Sequence, residues 1–507
     1  MSFQRPPALP VPTSLVLAST GCNCACDNEG ELSAPAAVLI FVAQRKPEPP
    51  FPPVSPPDVT QPPPTPPSTC APGGLWTFLL YLDADYKDEG QLSRAYQNAL
   101  SQLNSLNHAC IQIAIQLDGP GTGDTLRLYK GPGQSLTPSD SLTAEVGMDE
   151  VQALSAFIAW GQQQLPADHY YLALANHGDG VRGTLWDHTS NPNGTAYLRV
   201  AALRTALEDE QVLPIDILHL DSCSMALLEV AYQLRNKVQY LIASQYLGWS
   251  FFAYGDYARY AGDYPEPAGL ARQIVQRYGA LAANHQVPTT LSVLDLRRIE
   301  PVKNGLDALA VRLKACVGND DLSRHRHQQL ESIRRQSQQF DSNVSYTNDE
   351  LDAYVDLLDW LEQLRNANLN SEITAATIQL QAEFTHTDKL ILENYALSNP
   401  LPKYYANGQF IDLNRANGLS IYYPLEGTRQ VTSATATSNT LPYTQLFADY
   451  LDHKLFDFTR VSRWDEFLRA SFGTPPTDPA QLEPPLPPPA PLTVAVVNAI
   501  YLPVVMR

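Results

Sequence analysis

The chain has 507 residues, 44% of them hydrophobic, which is material for one large or two smaller globular domains with a substantial core. Lys and Arg total 34 against 53 Asp and Glu, a net charge of −19 that argues against a nucleic-acid partner and against a surface held on anionic lipid. Seven scattered cysteines, an odd number, make no disulfide framework, and Cys22, Cys24 and Cys26 lack the spacing of a zinc site.

Residues 1–46 begin with one basic residue, a short apolar run and small residues ending at Gly21-Cys22. This resembles a lipoprotein-type export signal with Cys22 as the lipid-bearing residue. Residues 47–74 are dense in proline and read as an extended spacer. A second such tract covers 473–491, and 492–507 form a short apolar tail. Neither apolar end is long enough to cross a bilayer, so no transmembrane helix is expected. A folded body at 75–472 between two proline spacers suits an extracellular or surface-tethered protein.

Within the body, short apolar runs alternate with amphipathic ones. WTFLLYL (76–82), IQIAIQL (111–117), TLRLY, YYLALA (170–175), IDILHL (215–220), YLIASQ and TTLSVLDL read as strands. LSRAYQNALSQLNSL, DEVQALSAFIAWGQQQL, LRVAALRTALED, SMALLEVAYQLR and AGLARQIVQRYGALAAN read as helices. Continuous apolar strands separated by helices predict an α/β fold with a mostly parallel sheet covered on both faces. The C-terminal part reads as more helical, at 322–339, 351–365 and 371–386. It closes with a strand-like GLSIYYPL and a helix, WDEFLRASF.

In such a sheet, sites form beyond the carboxyl ends of strands. YYLALA runs into NHGDG, which places His177 and Gly178 in a turn, and IDILHL runs into DSC, which places Asp221 and Cys223 in another. Neighbouring strands would bring imidazole and thiol together. A thiol attacks a carbonyl as its thiolate, which the positive end of a helix starting at Cys223 would favour. An imidazole takes the proton and returns it to the leaving amine. The N–H groups of Gly178 and Cys223 are candidate oxyanion donors. Taken alone, a cysteine at a strand end also reads as a small buried hydrophobe. Asp221 is either a helix cap or the acid of a pocket for a cationic side chain, and in the second case it must point away from the sulfur. His219, inside a strand, reads as a core histidine; His188 is a rival base; His325 and His327 lie on a solvated helix face. Asp83 and Asp85 read as loop or cap residues, with a cation site as the alternative.

Together these segments resemble the clostripain family of cysteine peptidases, in the broad group that includes caspases. LWTFLLYLDAD, YYLALANHGDG, TLWDHTSNPNGTAYLRVAALRTAL, IDILHLDSCSMALLEVAYQLRN and YLIASQYLGWSFFAYGDY carry the resemblance, with TLSVLDLRRI, AYVDLLDWLEQL, NGLSIYYP and SRWDEFL as later landmarks. It implies a caspase-like α/β/α sandwich over 75–472. It implies a cysteine endopeptidase with His177 and Cys223 as catalytic residues, and Asp221 as the pocket acid selecting Arg or Lys in protein or peptide substrates. Two departures stand out. DADYKD replaces an Asn-rich turn, and Gln245 stands where an acid is common, which puts strict Arg preference in doubt. Some relatives mature by cutting themselves between the histidine and the cysteine, where Arg182 and Arg199 are the candidate positions, Arg182 in the more loop-like context. No cofactor is required and no metal ligand set is assigned. Calcium, needed by some relatives, is left open because no calcium-loop pattern is recognisable. Rival readings are a non-catalytic surface module on the same fold and a mainly self-processing enzyme.

Overall fold

A computed structural model describes residues 69–85, 91–140, 142, 145–189, 197–318, 320–340, 352–398, 412–424, 447, 449–451 and 455–472. The export-type segment 1–46, all of the first spacer before residue 69, the second spacer 473–491 and the tail 492–507 lie outside the described residues.

Nine strands form the main sheet: β1 (Trp76–Asp83), β2 (Ile111–Asp118), β3 (Leu126–Lys130), β4 (Thr137–Pro138), β5 (His169–Ala175), β8 (Ile215–Asp221), β9 (Val238–Ala243), β10 (Thr289–Asp295) and β13 (Ile391–Leu397). Their order is β13-β10-β9-β8-β5-β1-β2-β3-β4. The five central strands, β9-β8-β5-β1-β2, are parallel, and the strands at both edges are antiparallel. Every residue of β1, β2 and β10 is buried, polar ones such as Gln116 and Thr290 included, as in strands covered on both faces.

The helices form two layers. One layer strings together α1 (Gln91–Ser105), α5 (Tyr254–Arg259) and α6 (Pro267–His285). The other strings together α2 (Val151–Gln164), α3 (Val200–Leu207), α4 (Leu228–Leu234) and α7 (Ile299–Ala315). This is the expected caspase-like α/β/α sandwich. A two-stranded ribbon, β6 (Gly183–Thr184) with β7 (Leu198–Arg199), follows the histidine turn.

The C-terminal part adds α8 (Asp321–Gln336), α9 (Leu357–Ala367), α10 (Ser371–Ala382), α11 (Phe458–Val461) and α12 (Trp464–Phe472). It also adds a small sheet, β11 (Gln339–Phe340), β12 (Tyr354–Asp356) and β14 (Ser420–Tyr422), ordered β11-β12-β14. The helix expected over 351–365 thus starts later, at Leu357. Tyr354–Asp356 pairs with β14 instead, and the Asp356 carboxylate accepts the Asp359 N–H at 2.8 Å, capping α9. α5, α7 and β13 were not expected.

Cys70, assigned above to the spacer, is bonded to Cys110 immediately before β2. The covalently fixed body therefore begins before residue 75. Cys223 and Cys316 are buried and form no disulfide among the described residues.

Candidate active site

β5 and β8 are adjacent and parallel, with Ala175 paired to Asp221. His177 and Cys223 each lie two residues beyond that pair, so the register alone delivers both turns to one edge of the sheet. The turns are in direct contact. A Cβ on Gly178 would lie 2.5 Å from the Cys223 carbonyl oxygen and 2.8 Å from Ser222 Oγ. Only a residue without Cβ lets the histidine turn approach the cysteine turn this closely. Thr184 Oγ1 adds a second link, donating to the His177 carbonyl at 2.8 Å and lying 3.4 Å from Ser222 Oγ.

Asn176 sets the histidine turn. Its Oδ1 accepts the N–H groups of His177, at 2.5 Å, and Trp186, at 3.0 Å. Its Nδ2 donates to the Asp83 carbonyl at 3.0 Å, anchoring the turn to the end of β1. Sequence reasoning missed this residue, although an Asn at a strand end before His-Gly is the signal for a side chain that folds back on the turn.

The cysteine turn corrects one expectation. Cys223 does not open a helix: α4 begins only at Leu228. The N–H groups of Ser224 and Ala226 instead bond the carbonyls of Tyr246 and Ser244, at 2.9 and 2.8 Å, and Ser224 adopts a left-handed conformation with φ of 60°. Cys223 is therefore not in the first turn of that helix, where such a dipole acts most strongly. The segment after β9 takes that place. The Gly248 N–H points at Cys223 Sγ, 3.1 Å away, a bond that strengthens when sulfur is negative. A Cβ on Gly248 would meet the Ser222 backbone at 3.1 Å, so this approach is also tight.

Asp221 is buried, and Tyr254 donates its hydroxyl to Oδ2 at 2.8 Å. It caps no helix, since α4 starts seven residues later. Burial pushes its carboxyl up to about 7, against the opposing Tyr254 bond. His219 Nε2 is 4.0 Å from Oδ1, but burial pushes that imidazole down to about 3 and keeps it neutral. His219 is the core histidine expected, with Nδ1 2.7 Å from the Tyr171 hydroxyl. Among the described residues no Lys or Arg pairs with Asp221.

Gln245 is buried, and its amide is engaged. Its buried amide donates to Asp356 Oδ2 at 3.0 Å and Ser420 Oγ at 2.9 Å and accepts the Gly418 N–H at 2.6 Å. It bolts the small sheet to the segment that carries Gly248. Tyr354 of the same sheet reaches the histidine loop, donating to the Asp179 carbonyl at 3.0 Å and accepting the Val181 N–H at 3.2 Å. Ser420 donates its N–H to the Ala226 carbonyl at 2.8 Å. The small sheet thus braces both turns.

The two candidate self-cleavage positions differ. Arg182 is buried and ion-paired with Asp179. Arg199 is exposed, just before α3. His188 sits in the loop after His177, its N–H bonded to the Asp85 carbonyl at 3.1 Å. Near it, single carboxylate oxygens of Asp85, Asp118 and Asp187 lie within 4.8 Å of one another, a set able to hold a cation.

Comparison with known proteins accords with this architecture. The model of the clostripain family matches residues 86–470. Clostripain of Hathewaya histolytica is 28% identical over 223 residues, 36% of this chain and 42% of that protein. The chain thus spans less than half the length of that curated relative. An inactive zymogen C11 protease from Parabacteroides distasonis superposes with a TM-score of 0.51 at 17% identity, covering 78% of this chain and 98% of that one. A secreted C11 cysteine protease from Bacteroides thetaiotaomicron, in complex with an irreversible peptide inhibitor, gives 0.52 at 16%, covering 77% and 99%.

Proposed function

The chain belongs to the clostripain family of cysteine peptidases, and on that premise we propose that it cleaves peptide bonds after Arg or Lys through an acyl-enzyme on Cys223. His177 is the general base and acid. Cys223 Sγ attacks the scissile carbonyl, and the N–H groups of Gly178 and Cys223 receive the developing oxyanion. His177 passes a proton to the leaving amine, and water releases the acyl group. The observation that carries this is the contact of Gly178 with Cys223, which makes one edge of the sheet out of two distant segments.

Asp221 is the pocket acid in this proposal. A buried carboxylate with no cationic side chain on it among the described residues is a partner for a substrate guanidinium or ammonium group. Burial of Arg182 and exposure of Arg199 favour Arg199 as the position of self-cleavage.

We also place the protein outside the cytoplasm, displayed on the proline spacers that flank the body, with borders at 46, 472 and 491 and the first spacer ending before Cys70. The Cys70–Cys110 disulfide supports an oxidising compartment.

The test is hydrolysis by the full chain of fluorogenic amides ending in Arg, Lys or Leu, beside Cys223→Ala. Turnover of the Arg and Lys amides above the Leu amide, lost in the variant, is expected. Equal rates on Arg and Leu would remove the role given to Asp221. Turnover that survives Cys223→Ala would remove the nucleophile, and no turnover by the intact or nicked chain would favour a binding module.

A further inference from the structure

The segment after β9 reaches both functional groups at the end of β8. The Gly248 N–H meets Cys223 Sγ at 3.1 Å, and further along the same segment Tyr254 donates its hydroxyl to Asp221 Oδ2 at 2.8 Å. Asp221 and Cys223 thus each have their own donor from one stretch of chain. Tyr254 is wholly buried at the start of α5. Phe252 stacks on its ring with centroids 6.1 Å apart, and Tyr257 meets it edge-on at 6.1 Å. Phe252 has a φ of 41°, a left-handed conformation unfavourable for a bulky side chain, and its own ring rests against Tyr96 at 4.6 Å. Strain of this kind persists only where the surroundings enforce it, and here it seats the ring that carries the Tyr254 hydroxyl.

The other carboxylate oxygen is left open. Among the described residues no donor lies within hydrogen-bond distance of Asp221 Oδ1, and His219 Nε2 stands 4.0 Å from it. His219 is neutral, so one ring nitrogen carries the hydrogen. The buried Tyr171 hydroxyl, 2.7 Å from Nδ1, has no other acceptor among the described residues and donates there. That assigns the hydrogen to Nε2, on the Asp221 side, where it makes no hydrogen bond. The Tyr257 hydroxyl is also buried with no hydrogen-bond partner among the described residues. Buried polar atoms are rarely left this way. One oxygen of Asp221 is tied, and the other faces polar groups with unused capacity.

We propose that Tyr254 is the positioning residue of the pocket acid, its hydroxyl turning Asp221 so that Oδ1 is left for the cationic side chain of the substrate. This rests on the reading of Asp221 as the acid that selects Arg or Lys. The same bond favours the charged carboxylate, because a hydroxyl donates more strongly to a carboxylate than to a carboxylic acid.

The ionisable groups that face Asp221 are Tyr254 and Tyr257 on α5, His219 on β8, Tyr171 on β5 and Tyr278 on α6. Burial, with the Asp221 charge behind it, holds all four tyrosines above their ordinary range, and His219 is neutral, so none of these groups supplies a positive charge. Against the larger effect of burial, the Tyr254 bond is what favours the ionised acid, and the balance leaves it at about 7. Without that hydroxyl the carboxylate forms only at higher pH and loses its fixed orientation.

The experiment compares the full native chain with Tyr254→Phe, which keeps the ring contacts and removes only the hydroxyl. It follows kcat and KM on Arg and Leu amides, and the urea midpoint, across the neutral and mildly alkaline range. The pH at which the Arg/Leu ratio of kcat/KM reaches half its plateau should rise by about one unit or more, as expected for losing a hydrogen bond to a charged group. Near neutral pH the loss on the Arg amide should lie in KM rather than kcat. Tyr257→Phe removes a neighbouring hydroxyl that makes no hydrogen bond and should leave the half-plateau pH in place. The urea midpoint reads the bond without activity. The native chain loses stability as pH rises through about 7, and in Tyr254→Phe that decline should continue to higher pH. A half-plateau pH unmoved by Tyr254→Phe, or moved as far by Tyr257→Phe, would overturn the role of Tyr254. A native chain with no Arg preference at any pH would overturn the pocket reading of Asp221 and the specificity role of Tyr254 with it, and the stability profile would still show whether the hydrogen bond exists.

Discussion

Gly178→Ala tests the convergence of the two turns with one methyl group. Gly178 does not have a positive φ, so alanine suits its backbone and the whole effect comes from contact. The new Cβ would stand 2.5 Å from the Cys223 carbonyl oxygen, 2.8 Å from Ser222 Oγ and 2.9 Å from Ser222 Cβ. Ordinary contact begins at 3.4 Å, so the turns must separate by about 0.9 Å (3.4 minus 2.5 Å). The backbone carbonyl of Cys223 has no rotamer to escape into. Overpacking of this kind costs about 1–3 kcal/mol of stability, and displacing reacting groups by about 1 Å costs about 100-fold in rate. The assay is kcat/KM on an Arg amide, with Tm measured on the same sample. A fall of about 100-fold in kcat with KM little changed is expected, because the displaced groups act on the reacting bond. Rate and Tm both unchanged would refute the contact between the turns.

Other consequences follow from the same geometry. The buried Asp221 carboxyl, at about 7 in the folded chain against about 3.9 unfolded, holds its proton more tightly when folded. Stability therefore declines as pH rises from about 4 to about 7, and Asp221→Asn should flatten that part of a urea-midpoint profile. Preference for Arg over Leu amides should rise through the same region near 7 as the carboxylate forms, and a preference independent of pH would contradict the role of Asp221. Gln245→Ala leaves Asp356, Ser420 and the Gly418 N–H each short of a partner. At about 1–3 kcal/mol per buried group, the urea midpoint should fall markedly while the Arg/Leu ratio stays as it was; a shifted ratio would return Gln245 to the pocket. Cys70→Ser opens a link across 40 residues and should cost about 2–4 kcal/mol, seen as a lower Tm that reducing agent also produces in the native chain.

Much of the sheet was legible because its central strands are buried on both faces and are mostly apolar. The elements that escaped are those whose identity depends on partners. α7 has Pro301 in its first turn and Gly305 within it, which break the helical signal although proline is tolerated in a first turn. β13 reads ILENYAL, half-buried, and is a strand because β10 is beside it. β12 is three residues inside a helix-like run, drawn out by pairing with β14 some sixty residues away.

The candidate site divides in the same way. Strand ends followed by His-Gly and Asp-Ser-Cys are local facts, and parallel register turns them into one edge. The conformation of SCSMAL is not local. Its composition and spacing favour helix, yet Ser224 and Ala226 give their N–H groups to the segment after β9, and helix formation waits until Leu228. The same pairing sets the Gly248 N–H against the sulfur. One set of long-range hydrogen bonds thus starts the helix beyond Cys223 and aims the Gly248 N–H at its sulfur. The donor comes from the segment that Gln245 fastens to the small C-terminal sheet, so the half of the chain with the fewest chemical motifs fixes what surrounds the thiol.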